Sequence, residues 1–179
     1  MIQSEMAKIV RAAYFAGEKH KDQRRSDKEE TPYINHPLEL ASILVDEGHI
    51  EDVDVICAAL LHDTIEDTDT TFEELERNFG LIVTNIVREV TNDMTLSSAE
   101  RRLKEAASIR GLSNQAKLVK LADKIANIRD ISTMPPVGWT LAKKEAYFDF
   151  SLTIAEHAKD ASQLLYDVFV HDYHKLKIG

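Results

Sequence analysis

The run Val53 to Leu61, apolar apart from Asp54, leads straight into His62-Asp63-Thr64-Ile65-Glu66-Asp67. This junction limits the fold more than any other stretch of the chain. A helix over 52–63 is apolar on almost every side, so it belongs at the centre of the molecule rather than on its surface. Its C-terminal end then delivers a histidine and three carboxylates to the edge of the core. Ionised carboxylates beside a core helix cost several kcal/mol, of order 3–5 for a broken buried pair, unless positive charge compensates them. No lysine or arginine lies within the stretch, and a metal ion is the simplest compensation. His62 and Asp63 have ligand chemistry. Glu66 follows one helical turn later, within reach of a water held by such an ion.

Helical periodicity continues along the rest of the chain. Met6, Ile9, Ala13 and Phe15-Ala16 predict an amphipathic first helix over about 2–20, and Lys21 to Glu30 reads as a charged loop. Asn35-His36-Pro37 opens the next helix, with Asn35 or His36 as cap and Pro37 in the first turn, and Gly48 ends it. Thr70-Thr71 ahead of Glu73-Glu74 resembles a capping box for a helix to Phe79, and Ile82, Ile86, Val87 and Val90 supply the apolar face of 81–91. Met94 to Arg110 is more polar and basic, and reads as a loop plus one exposed helix. Ser113 or Asn114 caps a helix from Ala116 to about Asp130, Thr140 caps one running to about Lys159, and a last helix covers 161–175. No strand-like alternation, repeat or linker interrupts the series. The expected fold is all-α, a single helical domain over 1–179 with its core at about 5–155.

The chain has 179 residues with a net charge of −9, which weighs against duplex nucleic acid as a partner, since that affinity comes largely from neutralising phosphates. A small phosphorylated ligand remains compatible with local basic clusters. Cys57 is the one cysteine and reads as a small core residue. The amino terminus has no signal-peptide pattern, and no apolar run approaches the roughly 18 residues that span a bilayer. A cytoplasmic, non-membrane protein is expected; a homo-oligomer is compatible with the sequence.

Metal-type side chains come from three separated segments: His36 at a helix start, His62-Asp63 at a helix end, and Asp123 inside the otherwise core-forming run Leu118 to Ala126. An acid in such a run needs a partner, and Lys120 and Lys124 are the local candidates. Two imidazoles and two carboxylates with open positions suit an octahedral ion such as Mn2+ or Fe2+, or a catalytic Zn2+.

The order His36, His62-Asp63, Glu66-Asp67, Asp123 resembles the HD-domain metal-dependent phosphohydrolases. Within them the chain most resembles the guanosine-tetraphosphate (alarmone) hydrolase domain of the RelA/SpoT proteins, in its stand-alone small form. The stretches that carry the likeness are Thr31 to Pro37, Ala58 to Thr68, Glu89-Val90-Thr91, and Lys117 to Lys124 continuing through Asn127 and Arg129-Asp130. Gly138-Trp139 and Tyr147-Phe148 extend it, so that it spans about residues 5–155.

The resemblance implies an HD-type helical bundle that hydrolyses the 3′-pyrophosphate of guanosine tetra- or pentaphosphate, usually with Mn2+, giving GDP or GTP and pyrophosphate. It also implies an alternative activity, removal of the 2′-phosphate of NADPH. By position, His36, His62, Asp63 and Asp123 hold the metal. Glu66 and Asp67 orient and deprotonate the attacking water, and Asn127 helps hold the nucleotide. Arg24 and Arg25 are expected to meet phosphates, Arg25 also stacking on the base, with Tyr147 packed beside the nucleotide. Lys143 stands where an arginine is common. Met94 and Ser98 replace lysines of the family pattern, which leaves Arg101, Arg102 or Lys104 to substitute for them. No synthetase or regulatory region follows, so a purely hydrolytic activity is expected. A catalytically silent metal- or nucleotide-binding module is the rival reading from another class. A second histidine–aspartate pair, His171-Asp172-Tyr173-His174, reads as a solvated, fraying tail. His20, His49 and His157 carry no partner pattern.

Overall fold

The computed structural model describes residues 4–177, and among them the regular elements are all helical. In chain order they are α1 (Glu5–Lys19), α2 (Asn35–Ser42), α3 (Val53–Leu61), α4 (Thr64–Asp67), α5 (Phe72–Phe79), α6 (Leu81–Val90), α7 (Ser98–Ser108), α8 (Asn114–Thr133), α9 (Leu141–Ala158) and α10 (Gln163–Lys177). The residues before Ser4, where the sequence starts the first helix, lie outside the described span. Side-chain caps set most of the helix starts: Ser4, Asp52, Thr71, Ser113 and Thr140 each accept a hydrogen bond from a first-turn N–H, and Ser97 with Glu100 forms a reciprocal capping box.

Two helices form the centre. Seven consecutive residues of α3, Val55 to Leu61, are buried, and α3 packs against α1, α2, α6 and α8. The long α8 crosses the molecule, touching α2, α3, α6, α9 and α10. The metal-type residues therefore sit where the two most enclosed helices meet α2.

Two departures from the sequence expectation have local causes. Asn35 does not cap α2 with its side chain; it is the first helical residue, because the turn before it already supplies bonds from Asn35 N to Pro32 O and His36 N to Tyr33 O. After Ser42 the helix widens into a π-turn over Ile43–Glu47 that ends at Gly48. A Cβ at Gly48 would lie 2.8 Å from Leu44 O and 2.9 Å from the Leu165 side chain, so glycine lets α10 approach closely.

The carboxyl-terminal segment forms the last helix that the sequence predicts, and its end is docked, where fraying of His171 to His174 was expected. Leu165, Phe169 and Tyr173, spaced by four, turn one buried face toward α8 and α9. Arg129 adds a polar tie, with Nε 2.6 Å from Asp172 and the guanidinium forked onto Glu47 at 2.7 and 2.8 Å. His171 and His174 remain exposed on the opposite face. No helix among the described residues is long and apolar enough to cross a membrane.

Candidate metal and phosphate site

The kink between α3 and α4 places the central residues. The last carbonyls of a helix lack partners within it, and here side chains supply them: His62 Nδ1 lies 2.8 Å from Ala59 O, and Thr64 Oγ1 donates to Leu61 O at 2.7 Å. A carbonyl only accepts, so Nδ1 carries a proton, and in the neutral ring Nε2 keeps its lone pair. That Nε2 is buried and makes no hydrogen bond of good geometry among the described residues, although Asp63 Oδ2 lies 2.8 Å away. A histidine fixed through one ring nitrogen with the other left bare is how metal-ligating imidazoles are oriented.

The bare nitrogen faces a tight group. His36 Nε2 lies 3.3 Å from Asp123 Oδ1 and 3.9 Å from Asp63 Oδ2, while His62 Nε2 lies 2.8 Å from Asp63 Oδ2 and 4.0 Å from Asp123 Oδ1. One ligand atom each from His36, His62 and Asp123 falls within 4.8 Å of the others, a spacing that suits one metal ion. Asp63 stands beside them and accepts a hydrogen bond from the Tyr33 hydroxyl. Asp123 is steadied by Asn127 Nδ2 at 2.7 Å and Lys124 Nζ at 3.0 Å. These donors fit a divalent cation: two imidazole nitrogens and two carboxylates, enclosed and already oriented.

The electrostatics agree. Burial opposes ionisation of Asp63 and Asp123, yet the neighbouring imidazoles, and Lys124 beside Asp123, hold both carboxyls below the usual range. Burial likewise opposes a charge on His62, but Asp63 and Asp123 outweigh it and push its pKa up to about 9. The pocket is built for positive charge, whether from protons or from a metal.

Glu66 and Asp67 project from α4 toward one side of the cluster. Burial raises the Glu66 pKa above its ordinary value, opposed by the Asn92 backbone N–H, and the Asn92 side chain adds a bond at 3.2 Å. Asp67 is more exposed and is held by Gln23 Nε2 at 2.9 Å; Gln23 in turn meets the buried His20 at 2.6 Å.

Two cavities open beside the cluster. One, of about 350 Å³, is bordered by Arg24, Arg25, Tyr33, His36, Asp123 and Asn127. Arg25 reaches Asp130 at 2.9 Å and lies 5.8 Å from the Tyr33 ring centre, whereas Arg24 is exposed and bonded to its own loop carbonyls. The other, of about 290 Å³, is bordered by Glu66, Asp67, Arg101, Arg102, Lys124 and Tyr147. Met94 and Ser98 also border this second cavity, together with the two arginines that the sequence offers as their substitutes. Lys104 turns instead toward Asp93, at 3.8 Å. Lys143 borders neither cavity; its ammonium sits 4.7 Å from the Trp139 ring.

Sequence reasoning did not single out Gln23, Tyr33, Asn92 and Glu105 as contributors, though Tyr33 lies in a quoted motif. Of the two lysines expected as counter-charge to Asp123, Lys124 pairs with it and Lys120 pairs with Glu105 instead. Gln23 and Asn92 act only through long-range contacts that no local pattern records.

Helical architecture, histidine–aspartate pair and distant aspartate together define a class. A family model described as "HD domain" matches residues 12–147, and the chain belongs to the HD-domain family. More particularly, it is 50% identical over 162 residues to a guanosine-3′,5′-bis(diphosphate) 3′-pyrophosphohydrolase MESH1 of Xenopus tropicalis, covering 90% of each chain. It is 45% identical to the Homo sapiens protein of that name, covering 94% of each. Among solved structures it is similar to a metazoan orthologue of SpoT, described as hydrolysing ppGpp and playing a role in starvation responses. The TM-score is 0.91 at 38% identity, with 98% of this chain and 97% of that one covered.

Proposed function

We propose that this chain is a metal-dependent hydrolase that removes the 3′-diphosphate of guanosine 3′,5′-bis(diphosphate) and its pentaphosphate analogue as pyrophosphate, with Mn2+ as the working ion. The observation that carries the reading is the enclosed His36, His62, Asp63, Asp123 cluster with Glu66 and Asp67 on one flank. Its relatives' names supply the substrate.

His36, His62, Asp63 and Asp123 would hold the ion, which when bound would supply positive charge to the phosphoryl oxygens and lower the pKa of water. Glu66, whose pKa burial raises above its ordinary value, takes the proton from the attacking water. Asp67, fixed by Gln23, orients that water. The water oxygen bonds to phosphorus, and the phosphorus–O3′ bond breaks with its electron pair on the 3′-oxygen, which then takes a proton from solvent. Asn127, one turn beyond Asp123, and the Arg24–Arg25 loop receive the nucleoside in the larger cavity. Arg25 presents a planar group that favours stacking on a base.

The test is pyrophosphate release from guanosine tetraphosphate by the purified chain, with and without Mn2+, beside phosphate release from NADPH. Mn2+-dependent pyrophosphate release, abolished in Glu66→Ala although that variant still binds Mn2+, is the expected result. Phosphate release from NADPH alone would overturn the substrate assignment, and silence on both with metal still bound would leave a binding module.

A further inference from the structure

His20 borders neither cavity, yet it is among the most enclosed polar residues of the chain, at 1% exposure. It ends α1, where its backbone N–H donates to Ala16 O at 2.9 Å. Its side chain makes one polar contact among the described residues: Nδ1 lies 2.6 Å from Gln23 Oε1, while Nε2 is buried without a partner. An unmatched buried ring nitrogen is a cost that phenylalanine would avoid, so packing alone does not account for an imidazole here.

The contact with Gln23 has a definite polarity. A glutamine amide has one end that only accepts and one that only donates. Gln23 Nε2 donates to Asp67 Oδ2 at 2.9 Å, which leaves Oε1 for the ring. Oε1 accepts as well, so His20 Nδ1 must carry a proton. In the opposite tautomer Nδ1 would accept, Gln23 would turn its Nε2 to the ring, and an amide oxygen would face the Asp67 carboxylate. Two acceptors so placed repel, and Asp67 would leave its position.

The backbone holds the intermediary still. Gln23 N donates to His20 O at 3.0 Å, and Tyr33 N donates to Gln23 O at 3.1 Å. The His20 ring also lies 4.9 Å from that of Tyr33, whose hydroxyl donates to Asp63. One imidazole, at the end of a helix packed on α3, thus supports carboxylates on both flanks of the cluster.

We propose that His20 is a positioning residue for the reaction: its Nδ1–H fixes the Gln23 amide, and Gln23 holds Asp67 Oδ2 so that Oδ1 is left for the attacking water. The proposal deepens the hydrolytic reading above and rests on it. His20 acts through Gln23 on the orientation of the water, so its loss should reach turnover and spare binding.

The test compares wild type, His20→Phe and His20→Asn in the Mn2+-loaded full chain. His20→Phe keeps a ring beside Tyr33 and removes the donor. It is expected to lower kcat on guanosine tetraphosphate about 3- to 10-fold, with KM and Mn2+ affinity changed less than about twofold. Its melting temperature should stay within about 4 °C of wild type, because the half-buried Gln23 can turn to water and the unmatched Nε2 is gone. His20→Asn, whose amide N–H can stand in for Nδ1–H, should recover most of the rate. In a Gln23→Ala background, His20→Phe should lower kcat less than about twofold further, since the two residues act in series. An unchanged kcat in His20→Phe, or losses that multiply in full, overturn the proposal. A loss that tracks the melting temperature and is not recovered by His20→Asn assigns His20 to packing alone.

Proton–nitrogen NMR of the full chain, with diamagnetic Zn2+ in place of Mn2+, separates this proposal from the hydrolytic reading because it needs no turnover. A protonated Nδ1, with a Gln23 side-chain amide signal that moves in His20→Phe, keeps the hydrogen-bonded chain. If wild type then turns over neither guanosine tetraphosphate nor NADPH, the hydrolase reading is the one that falls. A bare Nδ1, or a Gln23 signal that ignores His20→Phe, overturns the proposal whatever the turnover.

Discussion

Glu105 provides the sharpest quantitative test of how the second cavity is held together. Its Oε1 lies 3.2 Å from Lys120 Nζ and 3.1 Å from Lys124 Nζ. All three side chains are nearly enclosed, at 9%, 9% and 5% exposure for Glu105, Lys120 and Lys124. Replacing Glu105 with Gln keeps the shape and removes the charge. Lys124 retains Asp123, but Lys120 loses its ion-pair partner in a buried setting. Breaking a buried pair costs about 3–5 kcal/mol, and the surviving Asp123 contact places this case near the lower figure, about 3 kcal/mol. For a chain of this size that lowers the melting temperature by roughly 6–12 °C.

The effect must also depend on pH, with a definite sign. Burial works against ionisation of Glu105, but Lys124 and Lys120 outweigh it and hold its folded-state pKa below the ordinary 4.5. A carboxyl depressed on folding stabilises the protein above the unfolded pKa, and that stabilisation is lost as pH falls through the folded value. Urea denaturation of wild type and Glu105→Gln at a series of pH values should thus give a constant gap above about pH 5.5 that narrows in acid. A gap under about 1 kcal/mol at pH 7, or one that does not change with pH, would refute the buried-pair account. No residue of α7 is fully buried, and Glu105 is its main anchor to α8.

Three further outcomes can be checked independently. Gln23→Ala removes the 2.9 Å bond that fixes Asp67 and should lower kcat about tenfold with KM little changed; an unchanged kcat would remove Asp67 from the orienting role. Gly48→Ala forces a methyl onto Leu44 O and Leu165 and should cost about 1–3 kcal/mol in urea denaturation, whereas a neutral result would mean that α10 shifts freely. Glu39 has its pKa pushed up to about 7 by burial and by Asp130. Its ionisation therefore penalises the fold as pH rises through 7, and Glu39→Gln should gain about 1 kcal/mol over wild type at pH 8.5, after allowance for solvent screening, and nothing at pH 4.5. Equal stability of the two at both values would contradict that linkage.

What the sequence disclosed, and what it did not, follows from the range of the interactions involved. Helix positions were legible because their causes are local: Asp52, Thr71, Ser97 and Ser113 cap with their own side chains, and the apolar faces repeat at helical spacing. The convergence of His36, His62 and Asp123 could be anticipated because an acid or imidazole within a core-forming run demands a partner. The docking of α10 was missed for a related reason. Its polar residues dominate the composition, while the face that matters consists of Leu165, Phe169 and Tyr173, four residues apart. The contribution of Glu105 was hidden more deeply, since a glutamate in a polar helix gives no local sign that two lysines on another helix will enclose it.

The same contrast explains why the site divides into a firm part and an adjustable one. The cluster residues stand on α2, α8 and the α3–α4 kink, all anchored to core helices, so their spacing is set by the packing of Leu60, Leu61, Leu121 and Ile125. The arginines of the second cavity stand on α7, which is attached through the nearly enclosed Glu105 carboxylate, through Ala106 against the core and through two aromatic rings on α9. Substitutions at Met94, Ser98 or Arg102 therefore leave the core and the metal-binding geometry alone. A helix fastened by few contacts can change the lining of the second cavity without disturbing the cluster beside it. On this arrangement, substitutions on α7 should alter that lining while the cluster keeps its geometry on α2, α8 and the α3–α4 kink.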